Sequence, residues 1–309
     1  MHHFDLTNIK YPLLIDGGLS NVLEKQGCNL NGKLWSAKML VTDPEAIIRA
    51  HHTYLQSGAQ CITTASYQAS IPGFIAKGHD RDAAEFFILE SVLLAETAVN
   101  RFIASNNKSS LTPLIAASIG PYGAYLADGS EYHGFYGVSS EKLKEFHRPR
   151  IRILESSNAD FIAFETIPSF QEAKVLAELL KESEKSAWIS FSCKDESHLN
   201  DGTDITECVS YFANNPKVFA IGVNCTAPKY ISGLIKSIKA NSGSMKIIIY
   251  PNSGETYNAE SKTWIGLSDP VLFVEMVKEW IKLGADIIGG CCRIGPDHIK
   301  SIRDILLKN

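Results

Sequence analysis

The stretch DPVLFVEMVKEWIKLGADIIGGCC, residues 269–292, reads as one helix, one turn and one strand that ends on two cysteines. Asp269 is a good N-cap, and Pro270 suits the first helical position. Phe273, Val277 and Trp280 then fall on one face at helical spacing, and Gly284 stops the helix. A short apolar run follows, and Gly289-Gly290 removes side-chain bulk just before Cys291-Cys292. The same grammar occurs earlier in the chain. Asp43-Pro44 leads through Ile47, Ile48, His51 and Leu55 to Gly58-Ala59 and a strand, with identical offsets. Asn158-Ala159-Asp160 before Phe161 is a weaker echo. A recurring half-unit is what a repeating β/α architecture produces, although good capping residues also converge by chance.

Outward from that unit, eight apolar runs are bounded by turn residues: Pro12 to Gly18, Gln60 to Tyr67, Leu114 to Pro121, Phe161 to Pro168, Ala187 to Cys193, Ala220 to Thr226, Lys246 to Ser253 and Ala285 to Cys292. They are near-continuous in Ile, Val, Phe and Ala rather than alternating, as in strands covered on both faces. Helical patterns lie between them; one opens at Asp80 and bears Phe86, Leu89, Leu93 and Phe102. Eight such units in 309 residues indicate an α/β chain folded as a single (β/α)8 TIM barrel, one domain over residues 1–309. The rival, a doubly wound open sheet, usually carries a Gly-x-Gly-x-x-Gly turn after its first strand. Neither that turn nor a P-loop occurs.

Composition is that of a soluble globular protein: 45% hydrophobic, 21% charged, net charge −4. No global field favours nucleic acid or an anionic membrane. No apolar run reaches the roughly 18 residues needed to span a bilayer. Met1-His2-His3-Phe4-Asp5 has no basic region ahead of an apolar stretch, so no secretory signal is expected. Seven cysteines are an odd number in a chain too large to need staples. They are expected as thiols in a reducing, cytoplasmic compartment.

In a barrel the functional face lies at the C-terminal ends of the strands. Strands six and eight are next-nearest neighbours there, so Cys225, Cys291 and Cys292 can share an ion. Three thiolates with a fourth position open are the catalytic form of a zinc site. Three buried cysteines that happen to end strands are the plainer alternative. Cys28, Cys61, Cys193 and Cys208 read as structural. Asp16 and Glu165 each end an apolar run, where a charge is costly unless paired. Their partner is either an Arg or Lys at the rim or a substrate ammonium. Gly17-Gly18 offers amides for a carboxylate. The third loop, Gly120 to Tyr132, is long; its Tyr122, Tyr125, Glu131 and Tyr132 suit a cationic ligand, or the loop simply caps the barrel. The nine histidines form no His-x-His or His-Glu-x-x-His pattern, and His51, His52 and His298 read as packing or surface residues. No Gly-x-Ser-x-Gly elbow supports a serine hydrolase.

Val223-Asn224-Cys225 and Gly289-Gly290-Cys291-Cys292 resemble the paired zinc motifs of the homocysteine S-methyltransferase family. Asp16-Gly17-Gly18, Thr64 to Ser70, Phe164-Glu165-Thr166 and Tyr250 to Gly254 fall in register, so the resemblance covers essentially the whole chain. The third loop resembles the single-domain branch that uses S-methylmethionine, with S-adenosylmethionine as second donor. The resemblance implies methyl transfer to L-homocysteine, giving methionine, with one Zn2+ per chain on Cys225, Cys291 and Cys292. It implies Asp16 and Glu165 on the homocysteine ammonium and amides near Gly17 and Gly18 on its carboxylate. Tyr67, Gln68 and Asn252 join the expected substrate contacts; Tyr122, Tyr125, Glu131 and Tyr132 are the expected donor contacts. Betaine-using relatives carry tyrosine after the strand-four glutamate, and here it is Thr166.

A free thiol has a pKa near 8.5, so zinc is what would make the acceptor a thiolate at neutral pH. The leaving group is a neutral thioether, and no general acid is required. The alternatives are another donor, betaine or a methylfolate, although a folate domain has no room here. Outside the class stand a TIM-barrel zinc hydrolase, which would want His and carboxylate ligands, and a zinc store without turnover. Selenohomocysteine is a plausible second acceptor on softness grounds. Partners are expected to be small molecules only, and nothing decides between monomer and homo-oligomer.

Overall fold

A computed structural model of the chain describes residues 6–106, 112–258, 263–265 and 269–307. Residues 1–5, read above for an export signal, lie outside them. Eight strands alternate with helices: β1 (Leu13–Leu14), β2 (Cys61–Thr63), β3 (Leu114–Ile119), β4 (Phe161–Ile167), β5 (Ala187–Phe191), β6 (Val218–Asn224), β7 (Lys246–Tyr250) and β8 (Ile287–Ile288). All pair in parallel, in the order β2-β3-β4-β5-β6-β7-β8-β1. A bridge between Ile15 and Cys61 returns β1 to β2. Gln60 N donates to Leu14 O at 2.7 Å and Asp16 N to Cys61 O at 3.1 Å, completing the (β/α)8 barrel. A short antiparallel hairpin, Thr256–Asn258 with Thr263–Ile265, follows β7.

Seven of the apolar runs contain their strand, whereas β6 begins at Val218, two residues before its run, and all eight strands stop short of the run's end. β2 ends at Thr63, not Tyr67; β7 ends at Tyr250, not Ser253. The reason is local. At the rim the chain leaves the ladder to turn side chains inward, and Thr166 and Cys225 take left-handed φ of 60° and 47°. The β4–β5 register slips between Phe164 and Ile167, which puts Glu165 and Thr166 in a bulge. Bulges re-aim side chains in this way.

The two matched half-units form as expected. The Asp43 carboxylate accepts from Ala46 N, and the helix Pro44–Ser57 ends at Gly58 with φ 108°. Asp269 accepts from Val271 N, and Pro270–Leu283 ends at Gly284 with φ 117°. One face needs correction. On Arg81–Ser105 the buried stripe is Ala84, Ile88, Val92, Ala95 and Val99, while Phe86 and Leu93 are 53% and 42% exposed. Small side chains let this helix approach Pro44–Ser57 closely, so the bulkier residues are displaced outward. No helix among the described residues is long and apolar enough to cross a membrane.

Two apolar cores result. One fills the space between strands and helices. The other is the barrel interior, where Phe161, Trp188, Ile248, Ile287 and Leu13 meet; the Phe161 and Trp188 rings lie 5.3 Å apart. The interior is plugged by side chains, as small barrels are. Cys61, Cys193 and Cys208 are buried in these cores, and Cys28 is half-buried. His51 is fully buried with neither ring nitrogen bonded, and burial pushes its pKa down to about 4. It is a packing residue.

Candidate active site

The cavity above the plug, about 510 Å³, is lined by residues from the ends of β1, β2, β4, β6, β7 and β8. Cys225 follows β6, and Cys291 and Cys292 follow β8. Their sulfurs lie 2.7 Å (Cys225–Cys291), 3.5 Å (Cys225–Cys292) and 3.9 Å (Cys291–Cys292) apart. This is the one group of three or more potential metal ligands among the described residues. A tetrahedral ion with Zn–S bonds near 2.3 Å needs sulfurs about 3.8 Å apart. Two separations fit as they stand; the third needs an opening of about 1 Å, within the reach of a cysteine rotamer. The donor set therefore fits zinc. Cys225 and Cys291 bond to Cys292 and hold it well below the ordinary thiol range.

Backbone shape creates this convergence. Asn224, fully buried, accepts from Thr166 N at 2.7 Å and Ser190 Oγ at 2.8 Å, and its amide donates to Thr166 Oγ1 at 2.7 Å. It thus clamps Thr166, a β-branched residue at positive φ, beside Cys225, another left-handed residue. Such strain persists only where the surroundings over-determine it. Gly290 is required for a steric reason: a Cβ there would sit 2.0 Å from Ile294 Cγ2.

Two carboxylates sit on the same cavity. Asp16, 2% exposed, accepts from Thr63 N at 2.9 Å and Thr63 Oγ1 at 3.1 Å. Burial lifts its pKa well above the usual carboxylate range. Glu165, 8% exposed, accepts from Ser118 Oγ and from the Tyr250 hydroxyl, and burial lifts its pKa to about 7. Among the described residues neither carboxylate has an ion-pair partner. The Arg or Lys that a structural salt bridge would supply is not there. Two buried acids on one cavity, neither ion-paired among the described residues, can accept a cation from outside.

The remaining expected residues divide. Tyr67, Gln68, Gly17 and Gly18 line the cavity; Asn252 does not. The Asn252 amide instead donates to Cys225 O at 3.2 Å and its oxygen accepts from Gly254 N, so it braces a sulfur-bearing turn. The Gly18 amide is already committed to Ile294 O at 3.0 Å, so a carboxylate must be met by its neighbours. Glu131 and Tyr132 line the cavity, and Tyr122 and Tyr125 do not. Those two rings pack 5.6 Å apart at a 54° tilt and each contacts Phe146, because the loop forms a short helix, Tyr122–Leu126, that turns them toward Ser140–Glu155.

Several residues that matter were not marked by the sequence reading. Trp35 lines the cavity 6.3 Å from the Tyr67 ring, but it comes from a segment with no strand or motif near it. Ser118 was readable: it is the one hydroxyl in Leu-Ile-Ala-Ala-Ser-Ile. Beneath the third loop, buried Glu172 accepts from Tyr122 N at 2.6 Å, Tyr136 OH at 2.8 Å and His147 Nε2 at 2.7 Å. Arg150, 2% exposed, donates to Tyr67 O at 3.1 Å and Gly120 O at 3.3 Å.

The sequence from residue 13 to 306 matches the family model described as homocysteine S-methyltransferase. The chain belongs to the homocysteine S-methyltransferase family. It is 47% identical to homocysteine S-methyltransferase YbgG of Bacillus subtilis, with 94% of each chain covered. It is 45% identical to homocysteine S-methyltransferase 2 of Arabidopsis thaliana, covering 95% of this chain and 92% of that one. The metallated form of the homocysteine methyltransferase MmuM from Escherichia coli superposes with a TM-score of 0.86 at 40% identity, covering 97% of this chain and 98% of that one. As an enzyme of this family the chain carries homocysteine S-methyltransferase activity, and the TIM barrel is the family's scaffold.

Proposed function

We propose that the chain, as one domain, transfers a methyl group from a sulfonium donor to L-homocysteine, forming methionine, with one zinc ion on Cys225, Cys291 and Cys292. The donor we favour is S-methylmethionine, with S-adenosylmethionine second. The observation that carries this reading is the placement of three converging thiols beside two buried acids that have no cation of their own.

A zinc ion on the three sulfurs would leave one position for the acceptor sulfur and favour its thiolate. The chain's own residues do the rest. Asp16 and Glu165 receive the homocysteine ammonium, and their burial makes that pairing strong. The amides of Gly17, Leu19 and Ser20 are left for the homocysteine carboxylate, and Tyr67 and Gln68 bound the same space. Tyr67, Trp35 and Tyr132 offer ring faces to a sulfonium, and the Glu131 carboxylate, one oxygen of which is buried without a bond, offers it a charge. The acceptor sulfur attacks the methyl carbon while the methyl–sulfur bond of the donor breaks. The leaving group departs as a neutral thioether, so no side chain must protonate it. Alignment of the two sulfurs about the methyl carbon is the catalytic task. Thr166 stands where betaine-using relatives carry tyrosine, which favours a sulfonium over betaine.

The test is a donor screen at fixed homocysteine with S-methylmethionine, S-adenosylmethionine, betaine and a methylfolate, alongside metal analysis of unchelated protein. Turnover with S-methylmethionine and about one zinc per chain are expected. Turnover with betaine alone would overturn the donor assignment, and zinc-free active protein would overturn the site.

A further inference from the structure

Arg293 follows the cysteine pair directly, in the left-handed region with φ 68°. The described residues that line the cavity include four acids, Asp16, Glu24, Glu131 and Glu165, and one basic side chain, Arg293. We propose that Arg293 binds the α-carboxylate of the methyl donor and so selects donors that are amino acids. This inference rests on the sulfonium reading above.

Both substrates in that reading are amino acids, so two ammonium groups, two carboxylates and one sulfonium must be housed. Asp16 and Glu165 serve the acceptor ammonium, and the amides of Gly17, Leu19 and Ser20 serve the acceptor carboxylate. Glu131 and the aromatic rings serve the sulfonium. The donor ammonium is left with Glu24, the fourth acid, and the donor carboxylate alone has no partner of opposite charge in that scheme. Among four acids it would be repelled and left unpaired, which is costly in a partly desolvated cavity. A guanidinium is the side chain best matched to a carboxylate's geometry.

Arg293 is also held as a binding group should be. Its Nε and Nη2 donate to the Glu255 carboxylate at 3.1 and 3.4 Å. The Glu255 side chain is 8% exposed and accepts from Ser253 Oγ at 2.9 Å, whereas the Arg293 side chain is 40% exposed at the rim. Asn21 accepts from Arg293 N at 3.2 Å, which fixes the turn itself. A buried acid therefore orients a rim cation beside the site where sulfur chemistry takes place. Fixing the fork in advance lowers the cost of ordering it on binding.

The experiment uses zinc-loaded enzyme, wild type, Arg293→Gln and Arg293→Lys, with S-methylmethionine and its carboxamide. The carboxamide is read as a substrate or, where it does not turn over, as a competitive inhibitor. Wild type is expected to prefer S-methylmethionine over the carboxamide by about 30-fold, the usual worth of a hydrogen bond to a charged group. Arg293→Gln should lower kcat/KM for S-methylmethionine by a similar factor and abolish that preference. Homocysteine KM and zinc content should not move, and Arg293→Lys should recover part of the loss. Equal losses for both donors, an unchanged S-methylmethionine kcat/KM, or a raised homocysteine KM would each overturn the assignment. Wild-type enzyme that fails on S-methylmethionine overturns the donor reading and this inference with it. Wild-type turnover with an indifferent Arg293→Gln overturns the inference alone.

Discussion

The cavity has two halves built in different ways. The acids and thiols at the ends of β1, β4, β6 and β8 all face it, whereas of the four loop residues Tyr122, Tyr125, Glu131 and Tyr132 two face it and two turn away. A residue at a strand end inherits its direction from the ladder a residue or two behind it. A residue in a long loop takes its direction from whatever the loop packs against. Sequence position therefore translates into side-chain direction at the strand ends and not in the long loop, and each half can be broken separately.

The largest effect should come from the strand-end half. Cys291→Ser is expected to lose zinc and to lower turnover by well over 10²-fold, since even outer-shell changes at metal sites cost about 10–100-fold. Metal analysis beside a turnover assay checks it, and full activity with full zinc would remove Cys291 from the site. Loop variants should leave zinc content untouched, which is the sharper half of the comparison.

Next comes Glu165→Gln, expected to lower kcat/KM for homocysteine by about 10²-fold, as for truncating one member of a buried charged pair. The free enzyme's Glu165 has its pKa raised to about 7 by burial. Below that pH it is protonated and no longer attracts the ammonium, so kcat/KM for homocysteine should fall as pH drops through about 7. The glutamine variant should lose that limb of the profile. The stability sign runs the other way. A carboxyl whose folded pKa is raised stabilises the fold below its unfolded value near 4.5, and that contribution is lost as pH rises through about 7. Glu165→Gln should therefore be the more stable protein at pH 8, by an amount of order 2 kcal/mol. Paired melting curves at pH 5 and pH 8 check this; a variant less stable at pH 8 would contradict it.

This contrast also explains what could be read from the sequence. Asp16, Glu165, Cys225, Cys291 and Cys292 each follow an apolar run, and a parallel barrel turns that position into a place on one rim. The matched Asp-Pro and Gly-Ala offsets marked two helices to the residue, because caps are local chemistry. Direction in the third loop was not legible, because it is decided by Phe146 and Glu172, both distant in sequence. Nor was the buried stripe of Arg81–Ser105, where Ala84, Ile88, Val92, Ala95 and Val99 are buried and the larger Phe86 and Leu93 are exposed. Asn252 fell on the right rim but bonds to the backbone of Cys225, a distinction that needs coordinates.

Arg150→Met tests the loop's foundation. It removes donors to Tyr67 O and Gly120 O, of which Tyr67 O keeps the Gly120 N–H at 3.1 Å. A stability loss of about 2 kcal/mol is expected. Donor kcat/KM should fall about tenfold as Tyr67 and the loop shift, while zinc content stays constant. Thermal melts and donor kinetics on the zinc-loaded protein check it. A matching loss of zinc would mean that the two halves are not independent.

The smallest effect separates tyrosines within one loop. The Tyr132 ring lies on the cavity but is 67% exposed, and a ring–cation contact at an exposed site is worth only about 0.5–1 kcal/mol. Tyr132→Leu should therefore lower donor kcat/KM by about threefold and leave homocysteine KM alone. Tyr125 packs its ring on Tyr122 and Phe146, and Tyr125→Phe keeps that ring. Its donor kinetics should match wild type. A donor defect in Tyr125→Phe equal to that of Tyr132→Leu would show that the loop's packed face reaches the sulfonium after all. The loop would then rearrange on binding, and the division between cavity-facing and helix-facing tyrosines would hold for the free enzyme alone.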